Sequence, residues 1–184
     1  MRFGDYFLAA CLFIACLFVV PWSYNHFTKV TSTGPAGPSI AVTGSPSISA
    51  EQADDILCKA KSPACGTGHE LYLYGTQYGV DPGFALAVFK HESGYGTAGV
   101  ARETLSLGNI RCAGYPTCKD GYRSYGSWQQ GYSDFYRLIS GPAYVGAGLD
   151  TPEKIMPKYA PSGDGNNPTA YATDVEQSIA SWRA

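Results

Sequence analysis

One carboxylate offers the first chemistry in this sequence. In FALAVFKHESGYGTAG, residues 84 to 99, an apolar helical run ends on Glu92 and then breaks into Gly94, Gly96 and Gly99. The helix macrodipole places partial negative charge at a C-terminus, so an anion is disfavoured there. At about 100° per residue, Glu92 lies within about 60° of Ala85, Val88 and Phe89, on the buried stripe of its helix. Apolar neighbours and the helix end both penalise the ionised form, so the pKa of Glu92 is expected to be raised. A carboxylic acid that holds its proton near neutral pH is what cleavage of a glycosidic bond requires, to protonate the departing oxygen. A helix-end glutamate that reaches solvent or caps a backbone N–H would fit the same local pattern.

Other residue types add to that reading without deciding it. The chain holds 14 tyrosines, flat apolar rings with a polar tip that suit both sugar binding and core edges. Cys58, Cys65, Cys112 and Cys118 fall into two sequence-local pairs beside Gly or Pro, as expected of two disulfides in an oxidising compartment. A metal site with His69 or His91 is the rival, but neither spacing matches the C-x2-C of structural zinc. No cofactor or metal is expected. The formal net charge of -2 gives no electrostatic case for nucleic acid, which would want a clustered basic surface.

The elements that must hold Glu92 are mostly helices. SAEQ has the form of a capping box, Ser49 with Gln52, opening a helix through Lys61. HELYLYGTQYG reads as a second helix stopped at Gly79, and Asp81 with Pro82 starts the one that carries Glu92. SWQQGYSDFYRLIS repeats the box at Ser127 and Gln130, with Trp128, Tyr132, Phe135 and Ile139 as the buried stripe and Gly141 as the stop. Thr151 and Pro152 start a short helix, and Asn167 with Pro168 starts a last one whose buried face is Tyr171, Val175, Ile179 and Trp182.

Upstream of this domain the composition changes twice. From Tyr6 to Phe27 there is no formal charge, a run long enough to cross a bilayer at ~1.5 Å rise per residue. VVPWSYNHF offers no small-x-small cleavage site, and neither LAAC at Cys11 nor FIAC at Cys16 makes a convincing lipoprotein signal. Residues 1–27 therefore read as an uncleaved single-pass anchor, with Arg2 and the amino terminus on the cytoplasmic side. Residues 28–48 are rich in Thr, Ser, Gly and Pro without periodicity and read as a flexible linker. The expected architecture is a membrane-anchored α domain at 49–184 on the extracytoplasmic side.

A family resemblance sharpens the chemistry. HESGYGTAGVARETLSLGNIRC resembles the glutamate-containing helix and following segment of bacterial glucosaminidases of the lysozyme superfamily, enzymes that cut the glycan of peptidoglycan. The similarity continues through YRSYGSWQQGYSDFYRLI and ends with YATDVEQSIASW, which is similar to the family's tyrosine-containing C-terminal helix; it covers nearly all of residues 50 to 184. Glu-Ser-Gly-aromatic-Gly alone is only moderately specific, because related transglycosylases carry Glu-Ser at this point. Followed by Gly-Asn and then Tyr-Ala-Thr-Asp, it is much more so.

The resemblance implies a lysozyme-like fold, a glycoside hydrolase of the endo-β-N-acetylglucosaminidase type, and peptidoglycan strands as its partner. It matches Glu92 to the general acid, Asn109 to an asparagine that shapes the cleft, and Tyr171 to a tyrosine lining the active site. Tyr95 and Tyr125 join Tyr171 as candidate sugar-binding aromatics. Many members have a longer β-hairpin lobe after the asparagine, sometimes bearing a second carboxylate. Here only IRCAGYPTCKDG separates Asn109 from Tyr122, a short loop or hairpin stapled by Cys112 and Cys118. Asp120 and Glu103 are the candidate second acids, and the substrate's own N-acetyl group is the alternative. Two other functions stay open: a lytic transglycosylase, though the Gly-Leu-Met-Gln-like stretch usual in those enzymes is missing, and a non-catalytic wall-binding or assembly-scaffold domain.

Overall fold

The computed structural model describes residues 39–183. The anchor read at 1–27 and the linker up to residue 38 lie outside the described residues. Among the described residues no helix is long and apolar enough to cross a membrane.

In chain order the elements are α1 (Ala50–Lys59), α2 (Gly68–Tyr78), α3 (Pro82–Ser93), α4 (Ala101–Thr104), β1 (Cys118–Lys119), β2 (Tyr122–Arg123), α5 (Trp128–Ser140), α6 (Pro152–Tyr159) and α7 (Pro168–Trp182). The fold is mostly helical and carries two disulfides, as expected. Every residue of α3 from Pro82 to Phe89 is buried. A helix that is apolar on all sides belongs in the middle of a core, and α1, α2 and α7 pack directly around it. The stripe of α5 joins through its rings: Phe135 meets Phe89 edge-on with centroids 4.8 Å apart, and Tyr132 stacks on Phe89 at 5.8 Å.

Local signals explain where the helices begin and end. Ser49 and Gln52 form the full reciprocal box, with Ser49 Oγ accepting from the Gln52 N–H and Gln52 Oε1 from the Ser49 N–H. At α5 only half a box forms. Ser127 Oγ accepts from the Gln130 N–H, but Gln130 Oε1 turns to the Gly126 N–H at 2.9 Å, one residue early. Helix α1 stops at Lys59 rather than Lys61, because Lys61 takes a positive φ of 56° and Ser62 precedes a proline.

The packed domain also takes in residues 39–48, which their composition assigns to the linker. Val42 is fully buried, its N–H donates to the Asp150 carbonyl, and its carbonyl accepts from the Asp81 N–H. Ser47 donates both its N–H and its hydroxyl to Asp81 Oδ1. Ile40, Val42 and Ile48 are too sparse among small polar residues to show a period, so only tertiary contact reveals them as core.

Cys58 bonds Cys65 and Cys112 bonds Cys118, with Cα separations of 4.6 and 5.8 Å. The second bond closes onto the β1–β2 hairpin, where Cys118 pairs with Arg123 and Lys119 with Tyr122. Its two turn residues, Asp120 and Gly121, both have positive φ, 51° and 83°. That is the requirement of the tight hairpin turn that favours Asp-Gly.

Candidate active site

The helix end that carries Glu92 is built by its neighbours in sequence. Ser93 is buried; its hydroxyl donates to the Leu107 carbonyl at 2.8 Å and accepts from the Gly96 N–H at 2.9 Å. The chain then leaves the helix through three successive left-handed residues, Gly94, Tyr95 and Gly96, with φ of 54°, 59° and 83°. At Gly96 a Cβ would meet Leu107 Cδ2 at 2.8 Å, so both backbone and space demand glycine. The Tyr95 carbonyl accepts from Ser62 Oγ at 2.6 Å, tying this exit to the Cys58–Cys65 loop. Serine and glycines after Glu92 are thus a mounting that ends α3 abruptly and anchors it to the 106–109 segment.

Asn109 secures the other side. Its Nδ2 donates 2.9 Å to the backbone carbonyl of Glu92, one of the carbonyls that the end of a helix leaves without a partner. Gly108 precedes it in a space where a Cβ would lie 3.0 Å from the Phe135 ring and 3.1 Å from the Phe89 ring and the Tyr159 hydroxyl. Tyr159, from the end of α6, donates to the Gly108 carbonyl at 2.6 Å.

The carboxyl group meets α7. Tyr171 is buried, and its hydroxyl donates to Glu92 Oε1 at 2.8 Å. The Tyr171 ring stacks on His91 at 3.7 Å between centroids, and His91 Nδ1 lies 2.8 Å from Asp174 Oδ2. Burial pushes the Glu92 pKa above the ordinary glutamate value and outweighs the opposing pull of the Tyr171 hydroxyl, His91, Asn109 and Arg111. Burial and the Glu92 charge push the Tyr171 phenol well up, so it remains a hydrogen-bond donor across the neutral range. The arrangement can hold a proton on Glu92, deliver it, and steady the carboxylate left behind.

Glu92 opens onto a cleft of about 370 Å³. It is lined by Asn109, Ile110, Arg111 and Ala113, by Tyr122 and Arg123 of the hairpin, by Leu138 and Tyr144, and by Lys158 to Pro161 with Asp164 and Asn166 of the segment between α6 and α7. The structure brings Glu92, Asn109 and Tyr171 together. It places the other sequence candidates elsewhere. Asp120 is the exposed turn residue of the hairpin, and Glu103 is exposed and paired with Lys119. Tyr125 is buried with its hydroxyl on Asp134 Oδ2 at 2.7 Å, and Tyr95 packs half-buried against the core; neither lines the cleft. The tyrosines that do line it are Tyr122, Tyr144 and Tyr159, and its second carboxylate is Asp164. Nothing about Tyr144 or Tyr159 in the sequence distinguishes them from the other tyrosines. Asp164 sits in SGDGNN just ahead of the Asn167 cap, a loop-borne acid beside the helix of Tyr171, and that position was its one available signal.

No curated protein matches the chain. The glucosaminidase family model, described as mannosyl-glycoprotein endo-beta-N-acetylglucosaminidase, matches residues 69–183. That span contains α3 with Glu92, the Gly108–Asn109 turn, the hairpin and α7 with Tyr171. The chain belongs to the glucosaminidase family and is a glycoside hydrolase.

Proposed function

We propose that this protein hydrolyses the β-1,4 bond that follows N-acetylglucosamine in peptidoglycan strands, with Glu92 as general acid, and that residues 1–27 hold it to the membrane with the domain on the extracytoplasmic side. The observation that carries the proposal is the Glu92 carboxyl: shielded from water, bonded to the Tyr171 hydroxyl, and open to the cleft. As the bond to the leaving sugar stretches, the proton of Glu92 passes to the glycosidic oxygen. The carboxylate that remains keeps the Tyr171 donor, so charge develops where a fixed dipole already points. Arg111 and Lys158 on the cleft walls suit a glycan whose lactyl and stem-peptide carboxylates are anionic.

Mass spectrometry of purified peptidoglycan digested by the full-length protein tests the reaction. New reducing N-acetylglucosamine ends are expected. Anhydro-N-acetylmuramic ends would identify a transglycosylase instead, and binding without fragments a wall-binding domain. For the anchor, cell fractionation should find the intact chain in membranes, released by detergent and not by salt; a dominant shortened soluble form would contradict it.

A further inference from the structure

Hydrolysis by this cleft, if Glu92 supplies the acid as proposed above, also needs a group that activates water. We propose that Asp164 is that base. Among the described residues that line the cleft, Glu92 and Asp164 are the carboxylic acids. Asp164 ends the short turn Ser162–Asp164, which Gly165 closes at a φ of 81°. Asp164 lines the cleft together with Glu92, Asn109 and Arg111. Arg111 Nη2 lies 3.6 Å from Asp164 Oδ2. Arg111 also stands two residues beyond the Asn109 that grips the Glu92 carbonyl, and its charge reaches Glu92. One guanidinium thus pairs with Asp164 and acts on Glu92 through its charge, while the Glu92 carboxyl takes its hydrogen bond from Tyr171.

The two environments differ in the way an acid and a base require. Glu92 is desolvated and bonded to Tyr171, whereas the Asp164 side chain is 52% exposed and reachable by water. The Arg111–Asp164 pair is solvent-exposed at both ends, so it is weak and an arriving sugar can open it. Inverting glycosidases use two such carboxyl groups, one acid that protonates the leaving oxygen and one base that activates a water held between them. In the step, the C1–O bond breaks, its electron pair stays on the leaving oxygen, and the proton of Glu92 joins it. The water oxygen bonds C1 while Asp164 takes one of its protons. One water is consumed, and the two acids reset by exchange with solvent.

Asp164→Asn in the full-length protein, assayed on purified peptidoglycan, tests this. Turnover is expected to fall by on the order of 10²-fold with little change in KM, while circular dichroism shows an unchanged fold. Azide, which attacks without surrendering a proton, should restore cleavage and leave glycosyl azide ends. Turnover within about threefold of wild type, or a loss that azide does not repair, overturns the assignment. Glu92→Gln in the same assay separates the two claims: loss there with Asp164→Asn still active removes the base and leaves the acid standing. A wild-type chain that cleaves nothing overturns both.

Discussion

Replacing Ser93 by alanine removes the fastening that aims Glu92 and touches no substrate. The Ser93 hydroxyl serves two buried partners, the Leu107 carbonyl at 2.8 Å and the Gly96 N–H at 2.9 Å. Leu107 is 2% exposed, and Gly96 is buried beneath the left-handed exit turn, so water cannot readily take the hydroxyl's place. The Gly96 N–H keeps its 3.0 Å bond to the Ser93 backbone carbonyl, so the Leu107 carbonyl is the partner left without a bond, at a cost of about 1–3 kcal/mol. At about 3 °C per kcal/mol for a domain of this size, Tm should fall by roughly 3–9 °C. Urea unfolding gives the free energy, and peptidoglycan cleavage at a temperature where the variant stays folded gives the activity. Turnover should drop as well, because a displacement on the order of 1 Å at a catalytic group costs up to about 10²-fold. A stability loss below about 0.5 kcal/mol, within the range of a neutral surface change, would refute the view that Ser93 holds the helix end to the 106–109 segment.

Three further outcomes follow from the charges and crosslinks. Burial raises the folded-state pKa of Glu92 above the ordinary 4.5, so the native state binds that proton more tightly than the unfolded chain. The penalty is absent below 4.5 and grows as pH rises through the folded value; Glu92→Gln should therefore raise Tm at neutral pH and lose that advantage in acid. Asp134 behaves oppositely: burial pushes its pKa up, but hydrogen bonds from Tyr125, Arg123 and Arg137 outweigh it and hold the carboxyl below 3.8. Its stabilisation is present above 3.8 and disappears as pH falls through the lower folded value, and Asp134→Ala, which leaves Arg123 at 14% exposure without its partner, should cost about 3 kcal/mol in urea unfolding. Reducing both disulfides, whose cysteines are 7 and 6 residues apart, should cost about 2–3 kcal/mol each by calorimetry. Loss of Cys112–Cys118 should also lower turnover, because it supports the hairpin wall of the cleft.

The helices were legible because their signals are local. Asp81 with Pro82 at one end and Gly94 at the other bracket α3, and the run between them is apolar all round. Glu92 was legible for the same reason, since a carboxylate stands out against that run. What escaped the sequence depends on contacts between distant segments. Asp120 attracts attention as the sole acid of the Cys112–Cys118 region, yet an Asp-Gly pair there has a turn to make, and it makes it. Asp164 reaches the cleft only because α6 and α7 pack together and set the loop between them against Arg111. Residues 39–48 similarly read as linker until Val42 and Ser47 find Asp81 and Asp150, 34 or more positions away.

Glu92→Gln tests the central claim most directly. The amide keeps the size of the side chain and can still accept from the Tyr171 hydroxyl, but it has no proton to give the glycosidic oxygen. General acid catalysis contributes roughly 10²–10⁴-fold, so release of reducing ends from purified peptidoglycan should fall at least 10²-fold while the variant remains folded and binds the glycan. A folded Glu92→Gln protein that releases the same fragments at the wild-type rate would contradict the account.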